Sequence, residues 1–346
     1  ILYNYDLNLL DLIILSFIYY FHYTLYVKDK RLEKKWKKVY ELVDKGISTE
    51  IGNERPYWTV PGYDYLKNRI DLHVHPESGN DVEYVKQACM AGMRAVLFKS
   101  FYTTTFVEAR LCQIIVDDFA KQNNIDSLKI YGGVVLNTST VGGLNPKAVK
   151  TSLTVYPQFT KMIWMPTTES GGHIDRTYGK KNYDKNALYV AKNGRIVPEV
   201  EEILNIIAEN KIAVSCGHIS IEEMFVVIDS AKSLGVKKIV VDHPCFGSVN
   251  ASIDEQKQFA KKGAYLNYCA STLDPLISGV DPEYVANCIK TVGPKNCTMS
   301  TDVGAVFLLQ PLEAFRIFIW YMKICGINDK EIDIMTKINP AKILGI

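Results

Sequence analysis

Two histidines stand two residues apart in the segment DLHVH, at residues 71–75. If this segment is a β-strand, His73 and His75 point to the same face, because alternate side chains along a strand share a face. Two neutral imidazoles that converge in this way are a common pair of metal ligands. A single His-x-His pair is a weak signal, since it is also compatible with two surface histidines on an edge strand.

Three more residues that can bind a metal follow short apolar runs farther along the chain. His218, His243 and Asp302 each come one or two residues after such a run. Together with the first pair they provide four imidazoles and one carboxylate, the ligand set of one or two divalent ions with open coordination positions. Buried histidines satisfied by backbone groups would explain one of these positions, but hardly four of the six histidines in the chain.

The elements that would carry these residues alternate regularly from residue 69 onward. Short apolar runs predict strands, and helical patterns such as 221–234, which opens after a serine and closes before a glycine, lie between them. The predicted strands are Ile70–Val74, Ala95–Phe98, Ile130–Leu136, Met162–Met165, Ala213–Cys216, Lys238–Val241, Ala264–Tyr268 and Thr298–Thr301. Eight strands alternating with helices over about 270 residues predict an α/β fold, the (β/α)8 TIM barrel. A doubly wound sheet competes less well, because no G-x-G-x-x-G motif follows a predicted strand.

The predicted barrel departs from regular alternation in two places. The segment 166–198 after the fourth strand is too long for a simple loop, and its Asn-Gly turn at 193–194 predicts a hairpin inside this insertion. Beyond the eighth strand, 311–326 and 329–337 predict extra C-terminal helices.

The C-terminal ends of the strands form the catalytic face of a TIM barrel, so the predicted fold brings the histidines and Asp302 together there. Lys99 follows the second predicted strand and would lie at the same face. Its ammonium could bind an anionic substrate group, it could be carbamylated as a bridging metal ligand, or it could form a structural salt bridge. His173, in the long loop after the fourth strand, is interpreted either as a substrate contact on a lid or as a solvated loop histidine.

These motifs together resemble the metal-dependent amidohydrolase superfamily. The likeness lies in the first-strand pair His73 and His75, the single histidines after the fifth and sixth strands, and Asp302 after the eighth. The closing NPAKILG at 339–345 is also similar to the start of the C-terminal helix of that superfamily. More narrowly, residues 65–346 resemble an amidohydrolase-like family of unassigned function. The segments that carry this narrower likeness are DLHVHP at 71–76, GGLNP at 142–146, WMPT at 164–167 followed by His173, GHIS at 217–220 and DHP at 242–244.

The resemblance implies a bound divalent metal. His73, His75 and Asp302 would hold a first ion, and His218 would complete this site or hold a second one. Zinc is the expected metal, with manganese and iron as alternatives, because all three accept imidazole and carboxylate ligands. Many superfamily members carry a carbamylated lysine or a glutamate on the fourth strand, whereas this strand reads MIWM at 162–165. A site with one metal is therefore at least as well supported as a site with two.

The resemblance also implies a hydrolase that acts on an amide, lactone or ester bond of a small molecule. Asp302 would take the proton of the attacking water and return it to the leaving group. His243 would bind the metal or polarise the scissile carbonyl or phosphoryl oxygen, while Lys99 and His173 would position the polar end of the substrate. Two alternatives stay open: a metal-dependent decarboxylase or lyase of the same superfamily, and a metal-binding barrel without catalytic activity.

Composition narrows the classes of partner. The 346 residues are 47% hydrophobic with a net charge of +2, which excludes a disordered chain and offers no basic face for nucleic acid. Eight cysteines include no C-x-x-C pair, so reduced thiols in the cytoplasm are expected rather than a zinc ribbon or a disulfide framework. Cys216 and Cys245 adjoin the histidines, but they are interpreted as small apolar residues because no base is paired with them.

The chain is expected to have three parts: an apolar leader at 1–27, a helix-and-loop extension at 28–68 and the barrel at 69–346. The apolar run 7–27 is interpreted as a membrane anchor, as a piece of a fragment or of sequence upstream of the true start, or as a docked helix. An anchor would tether a cytoplasmic barrel to the membrane. Otherwise the expected partner is a small-molecule substrate in the cytoplasm, and a homo-oligomer stays open.

Overall fold

The computed structural model describes residues 63–76, 81–179, 186–304 and 309–346, all within the unit Pro61–Ile346. The apolar leader at 1–27 and nearly all of the extension at 28–68 lie outside the described residues, so the expectations for them stay predictions. Within the described ranges, no helix is both long and apolar enough to cross a membrane.

A barrel of eight parallel strands forms the centre of this unit. The described residues form ten strands: β1 Ile70–Val74, β2 Ala95–Phe98, β3 Lys129–Val135, β4 Thr160–Trp164, β5 Ala191–Lys192, β6 Arg195–Ile196, β7 Ala213–Ser215, β8 Ile239–Asp242, β9 Tyr265–Cys269 and β10 Cys297–Ser300. The barrel strands lie in the order β1-β2-β3-β4-β7-β8-β9-β10, and β5 pairs with β6 as an antiparallel hairpin. The predicted (β/α)8 barrel and the hairpin after its fourth strand are therefore confirmed.

Hydrogen bonds between the C-terminal end of β1 and the residues that follow β10 close the barrel. The backbone N–H of Asp302 donates to the carbonyl of His73 at 2.7 Å, and that of His75 donates to Val303 at 3.0 Å. Two candidate metal ligands of the first strand thus lie beside the candidate carboxylate of the last strand. Their proximity follows from closure of the sheet and not from nearness in the sequence.

Helices follow the barrel strands and cover the outside of the sheet. The described α-helices are Asp81–Met90, Phe106–Asn123, Thr138–Val141, Pro146–Val155, Gly171–Tyr178, Pro198–Asn210, Ile221–Ser233, Ile253–Lys262, Pro282–Val292, Pro311–Ile324, Asp329–Asp333 and Asn339–Leu344. The helix Ile221–Ser233 buries Met224, Val227, Ile228 and Ala231, the spacing that places apolar side chains on one helical face. The extra C-terminal helices predicted from the sequence are present.

Side chains of the strands alternate between two apolar layers. Ala95 and Leu97 point into the barrel, whereas Val96 and Phe98 of the same strand pack against the surrounding helices. Each large apolar side chain buried in this way contributes about 1.5–3 kcal/mol to folding. The two layers hold the strands rigidly, so the side chains at the strand ends have fixed positions.

The C-terminal segment closes the end of the barrel opposite the histidines. Ile343 and Leu344 join the apolar layer inside the barrel. The Asn339 side chain donates to the carbonyls of Pro294, Lys295 and Cys297 at 2.8–3.1 Å, just before β10 begins. The NPAKILG segment therefore seals the N-terminal ends of the strands and leaves the C-terminal ends open for a functional site.

Candidate metal centre

Two imidazoles and a carboxylate meet where β1 and β10 adjoin. The Nε2 atoms of His73 and His75 each lie 3.0 Å from Oδ1 of Asp302. The side chain of His73 is fully buried and that of Asp302 is 9% exposed. Nε2 of His73 approaches this oxygen without the alignment of a hydrogen bond. The two Nε2 atoms and Oδ1 therefore point toward one shared position between the three side chains.

An irregularity in β1 brings both imidazoles to this point. Asp71 pairs with Val96 and Val74 pairs with Phe98, so β1 uses one residue more than β2 over this stretch. Leu72 points into the barrel and Val74 packs outside it. Because of this extra residue, the side chain of His73 points into the barrel although the side chain of the preceding residue, Leu72, also points inward. Alternation alone predicted the convergence of the histidines but not this bulge.

The remaining predicted histidines extend the cluster across the barrel mouth. Nε2 of His218 lies 3.2 Å from Nε2 of His243, and Nδ1 of His218 lies 3.2 Å from Nδ1 of His173. The rings of His73 and His243 have centroids 5.6 Å apart. All five predicted histidines therefore belong to one cluster, which spans the first, fifth and sixth barrel strands and the insertion.

His173 lies on a helix, whereas the sequence analysis placed it in a loop. The helix Gly171–Tyr178 begins after Ser170, whose side chain accepts a hydrogen bond from the His173 backbone N–H. The Ser170 hydroxyl also donates to the carbonyl of His218 at 2.7 Å. Two successive glycines hid this helix in the sequence. The capping serine was the signal that could have revealed it.

The backbone at two site residues is strained. His243 has a φ of +33° and Asp302 has a φ of +52°, a region that few residues other than glycine adopt. Each such position costs about 1–3 kcal/mol and persists only where the surroundings enforce it. Gly217, with a φ of +59°, precedes His218, and a Cβ there would lie 2.3 Å from the carbonyl oxygen of Met165. The backbone therefore adopts an uncommon conformation at the positions that carry the site residues.

Asp242 supports the site, although the sequence analysis did not select it. Its Oδ1 lies 3.3 Å from Nδ1 of His73 and accepts a hydrogen bond from the Asn267 side chain. Its Oδ2 accepts hydrogen bonds from the Trp164 indole and the Ser215 hydroxyl. A carboxylate on the far nitrogen of a histidine fixes the ring orientation and makes the other nitrogen a better metal ligand. The sequence signal that could have identified Asp242 was its position at the end of a buried strand, next to His243.

Trp164 is the last residue of β4 and lies at the same end of the barrel as the histidines. Its indole is fully buried inside the barrel, with its centroid 6.5 Å from that of His73. The indole nitrogen can donate a hydrogen bond but cannot bind a metal ion. The Trp164 side chain thus forms part of the wall of the site and does not act as a metal ligand.

The electrostatic environment favours the charge states that metal ligands need at His218, His243 and Asp302. At His73, burial lowers the pKa, but the Asp302 and Asp242 carboxylates outweigh it and raise the pKa above its ordinary value. Burial lowers the pKa of His218 well below its ordinary value, and it lowers the pKa of His243 and of His173 to about 4. Burial alone would raise the pKa of Asp302, but the neighbouring His73 and His243 hold it well below its usual range. Neutral imidazoles and an ionised carboxylate are the forms that coordinate metals.

The donor atoms fit one divalent ion. One ligand atom from each of His73, His243 and Asp302 lies within 4.8 Å of the other two. Donor atoms bound to one tetrahedral zinc ion at roughly 2.0–2.2 Å lie roughly 3.3–3.6 Å apart, a little more than the 3.0 Å between Nε2 of His73 and Oδ1 of Asp302. Nδ1 of His243 is buried and has no hydrogen-bond partner among the described residues. The cluster can therefore hold a divalent metal, with His75 and His218 beside it.

Lys99 lies at the same face, directly after β2. The residue is 1% exposed, and its ammonium has no hydrogen-bond partner in the described part of the chain. Its Nζ lies 4.7 Å from the ring centroid of Phe101. Of the three interpretations given to this lysine, the structural salt bridge finds no acidic partner among the described residues.

The two cysteines beside the histidines have protonated thiols. Burial raises the pKa of Cys216 far above its ordinary value. A hydrogen bond to Cys288, at an Sγ–Sγ distance of 3.8 Å, raises the pKa of Cys245. Because the thiolate is the nucleophilic form, these shifts agree with the interpretation of both residues as small apolar side chains.

Comparison with known proteins gives a family and a fold. A model described as a family of unknown function, DUF6282, matches residues 68–267, more than half of the chain. No curated protein matches the sequence. An amidohydrolase from Pseudomonas aeruginosa has a similar structure, with a TM-score of 0.56 and 11% identity, over 82% of this chain and 97% of that one. This similarity confirms the barrel fold that the resemblance implied.

Two further solved structures cover the same barrel with lower scores. A 2,6-dihydroxybenzoate decarboxylase from Rhizobium has a TM-score of 0.48 and 6% identity, over 81% of this chain and 99% of that one. An amidohydrolase from Burkholderia multivorans with bound zinc has a TM-score of 0.47 and 9% identity, over 80% and 99% of the two chains.

Proposed function

The chain belongs to the family of unknown function DUF6282, and we propose that it is a metal-dependent hydrolase that cleaves an amide, lactone or ester bond of a small molecule. The observation that carries this proposal is the approach of His73, His243 and Asp302 to within 4.8 Å of one another through their ligand atoms. These residues come from the first, sixth and eighth barrel strands, at the face where TIM barrels carry their active sites.

His73, His243 and Asp302 would hold the ion, and His75 and His218 would complete its surroundings. We infer zinc as the metal, with manganese or iron able to use the same ligands. When bound, a divalent ion supplies an acidified water and a positive charge beside the scissile bond. The absence of a lysine or carboxylate at the end of β4 favours one ion over two.

Asp302 would handle the proton. The Ser271 hydroxyl donates to its Oδ2 at 2.7 Å, which fixes the carboxylate with Oδ1 toward the imidazoles. Because the neighbouring histidines keep this carboxylate ionised, it can accept a proton from the attacking water. The same group can then return the proton to the leaving nitrogen or oxygen.

His218 would act on the oxygen that gains charge. Its pKa lies well below the ordinary imidazole value, so the ring is neutral near pH 7. A neutral imidazole offers one N–H donor, which can stabilise a developing oxyanion. His173, 3.2 Å from His218 on the insertion, would contact the polar end of the substrate together with Lys99.

A substrate screen with the full-length chain tests this proposal. The chain is loaded with zinc or manganese and incubated with aryl esters, lactones and N-acylated amines, and the products are identified by mass spectrometry. We expect an acid together with an alcohol or amine, formation that stops on chelation, and recovery when metal is restored. Asp302→Asn should lower the rate by roughly 100-fold or more, as loss of a general base does. Asp229→Asn, a change at an exposed carboxylate paired with Lys262, should leave the rate unchanged.

Two results would contradict hydrolysis. Release of carbon dioxide from a carboxylated substrate, without an acid and amine or alcohol pair, would identify a decarboxylase. Stoichiometric metal with no turnover across the whole panel would identify a metal-binding barrel without catalytic activity.

A further inference from the structure

The buried ammonium of Lys99 is a charged group for which the described protein provides no hydrogen-bond partner. Ala95 and Leu97 point into the barrel, and Lys99 is the next residue in this alternation, one layer closer to the open end. The residue is 1% exposed and its Nζ has no hydrogen-bond partner among the described residues. Burial of a charge without a partner costs several kcal/mol, so such a group usually serves a ligand or an ion.

Aromatic contacts connect this ammonium to the metal centre. Nζ of Lys99 lies 4.7 Å from the ring centroid of Phe101, within the range of a cation–π interaction. The Phe101 ring stacks on His75, with centroids 4.5 Å apart, and approaches His218 edge-on at 6.3 Å. One aromatic side chain therefore contacts the ammonium and two of the candidate ligands.

The ammonium of Lys99 lies at the same end of the barrel as the histidines. Lys99 directly follows β2 and continues the alternation of the inward-pointing Ala95 and Leu97, so its side chain points inward at the C-terminal ends of the strands. The histidines at the ends of three other barrel strands meet at the same end. The site thus contains a charged ammonium beside the candidate metal ligands.

The carboxylates near this cavity have other partners. Asp302 accepts from Ser271 and lies against the imidazoles of β1. Asp242 accepts from Trp164, Ser215 and Asn267. Among the described residues, no carboxylate is left to form a hydrogen bond with Lys99, so a bound molecule is the source of negative charge that we infer for it.

The single charge of Lys99 favours a monoanion. A phosphate, which carries more negative charge, is usually bound by several cations or by an arginine fork. Among the described residues, Arg176 is another cation near the cluster, and it donates from Nε to the carbonyl of Ser248 and from Nη2 to those of His218 and Ile219. Arg176 is thus bonded to backbone groups, whereas Lys99 is a buried cation without a hydrogen-bond partner in the described part of the chain.

We propose that Lys99 binds a carboxylate group of the substrate, so that the substrate class is carboxylated small molecules held with the scissile bond next to the His73, His243 and Asp302 cluster. This proposal rests on the proposed hydrolase function for the identity of the ligand as substrate. The carboxylate site itself exists whether or not the chain turns over a substrate.

The test measures carboxylate binding without metal and without turnover. The full-length chain is freed of metal with o-phenanthroline, a neutral chelator, and held at about pH 8, where an unperturbed imidazole is neutral. Its melting temperature is recorded with propionate and with propionamide, a neutral molecule of similar size, at constant ionic strength. We expect propionate at ten times its midpoint concentration to raise the melting temperature by roughly 2–4 °C and propionamide to have no comparable effect.

Lys99→Met should abolish the rise with propionate, because methionine keeps an apolar chain and removes the charge. Lys99→Gln provides the same comparison with a neutral polar group if the methionine variant does not fold. Lys257→Met, at an exposed lysine on the helix Ile253–Lys262, is the matched control and should respond like the wild type.

Three results would overturn the proposal. One is an equal response of the wild type to propionate and propionamide, and another is an undiminished response to propionate in both Lys99 variants. The third is a carbon dioxide adduct that appears in the native intact mass of the wild type after incubation with bicarbonate and is absent from Lys99→Met, which would assign the lysine to carbamylation. Because none of these measurements depends on hydrolysis, failure of the hydrolase proposal and failure of the Lys99 proposal are distinguishable.

Discussion

Three buried aspartates near the site differ in their affinity for a proton because their neighbours differ. Asp302 and Asp242 are desolvated, but the adjacent histidines lower the pKa of both carboxyl groups. Asp71 is also fully buried, and desolvation raises its pKa from 3.8 to about 6 despite hydrogen bonds from Thr301 and the His73 backbone. The first two are suited to metal and histidine contacts. The third stabilises the backbone between β1 and β10.

Replacing Asp71 by asparagine should change the pH dependence of stability. Between about pH 4 and 6 the folded wild type keeps the Asp71 proton that the unfolded chain releases, so its free energy of unfolding falls as the pH rises. Asparagine can accept the two backbone N–H groups, and the Thr301 hydroxyl can donate to the His73 carbonyl instead. Asp71→Asn should therefore gain up to about 3 kcal/mol relative to the wild type across this range.

Urea denaturation of both metal-free proteins at a series of pH values measures this difference. The difference should grow from about pH 4 to about pH 6.5 and then stay constant. A difference that is independent of pH, or that shrinks as the pH rises, would contradict the raised pKa of Asp71.

Single side chains at the site were partly predictable from the sequence. His73, His75, His218, His243 and Asp302 could be selected because each stands at a strand end, and strand ends meet in a barrel. The support that Asp242 gives to His73 could not be predicted, because that contact joins the first and sixth barrel strands at a distance that only packing sets. The sequence also could not show that the Lys99 ammonium has no hydrogen-bond partner among the described residues, because it does not show which groups reach a buried side chain.

The insertion and the helix after β7 are held together by one buried carboxylate. Glu223 forms a capping box with Ser220 at the start of the helix Ile221–Ser233. Its Oε1 also accepts hydrogen bonds from the backbone N–H groups of Val190 and Ala191, where the hairpin begins. This glutamate therefore ties the insertion that carries His173 to the segment that follows His218.

Glu223→Ala should destabilise the protein far more than the same change in an exposed capping box. The substitution leaves buried backbone N–H groups of the insertion without a partner, so we expect a loss of about 2–4 kcal/mol. The matched control is Glu255→Ala, because Glu255 forms the corresponding box with Ser252 at the helix Ile253–Lys262 and, within the described residues, its side chain accepts hydrogen bonds from Ser252 alone. That change should cost about 0.5–1 kcal/mol.

Chemical denaturation of the two variants and the wild type measures both values. Equal losses in the two variants would show that the bonds to Val190 and Ala191 contribute nothing, and would contradict the role given to Glu223.

At the scale of elements, structures with a regular sequence pattern could be predicted, whereas local irregularities in strands and helices could not. The Asn-Gly turn at 193–194 predicted the hairpin correctly, because that dipeptide suits the positive φ values of a tight turn. The bulge between Asp71 and Val74 has no marker residue in the sequence, since it arises from pairing with β2. The helix of His173 was missed because Gly171 and Gly172 favour a loop by composition. Gly172 is needed there because a Cβ would lie 2.4 Å from the Ser220 nitrogen.

The whole barrel brings together ligands that are more than 200 residues apart in the chain. Closure between β1 and β10 places Asp302 against His73 and His75, and the segment Asn339–Leu344 seals the opposite end. The eight-strand alternation was sufficient to predict this architecture, because few folds accommodate that pattern. A metal that binds residues of the first, sixth and eighth strands would join distant parts of the barrel, so its binding should also stabilise the fold.

The most direct test of the account is the metal content of the purified full-length chain, measured by elemental analysis. We expect close to one equivalent of zinc, manganese or iron in the wild type and its loss in His73→Ala and Asp302→Ala. His173→Ala, a change of the same type at a histidine assigned to substrate, should retain the metal. A folded wild type that carries no metal, even after incubation with each of these ions, would contradict the metal centre and with it the proposed hydrolase.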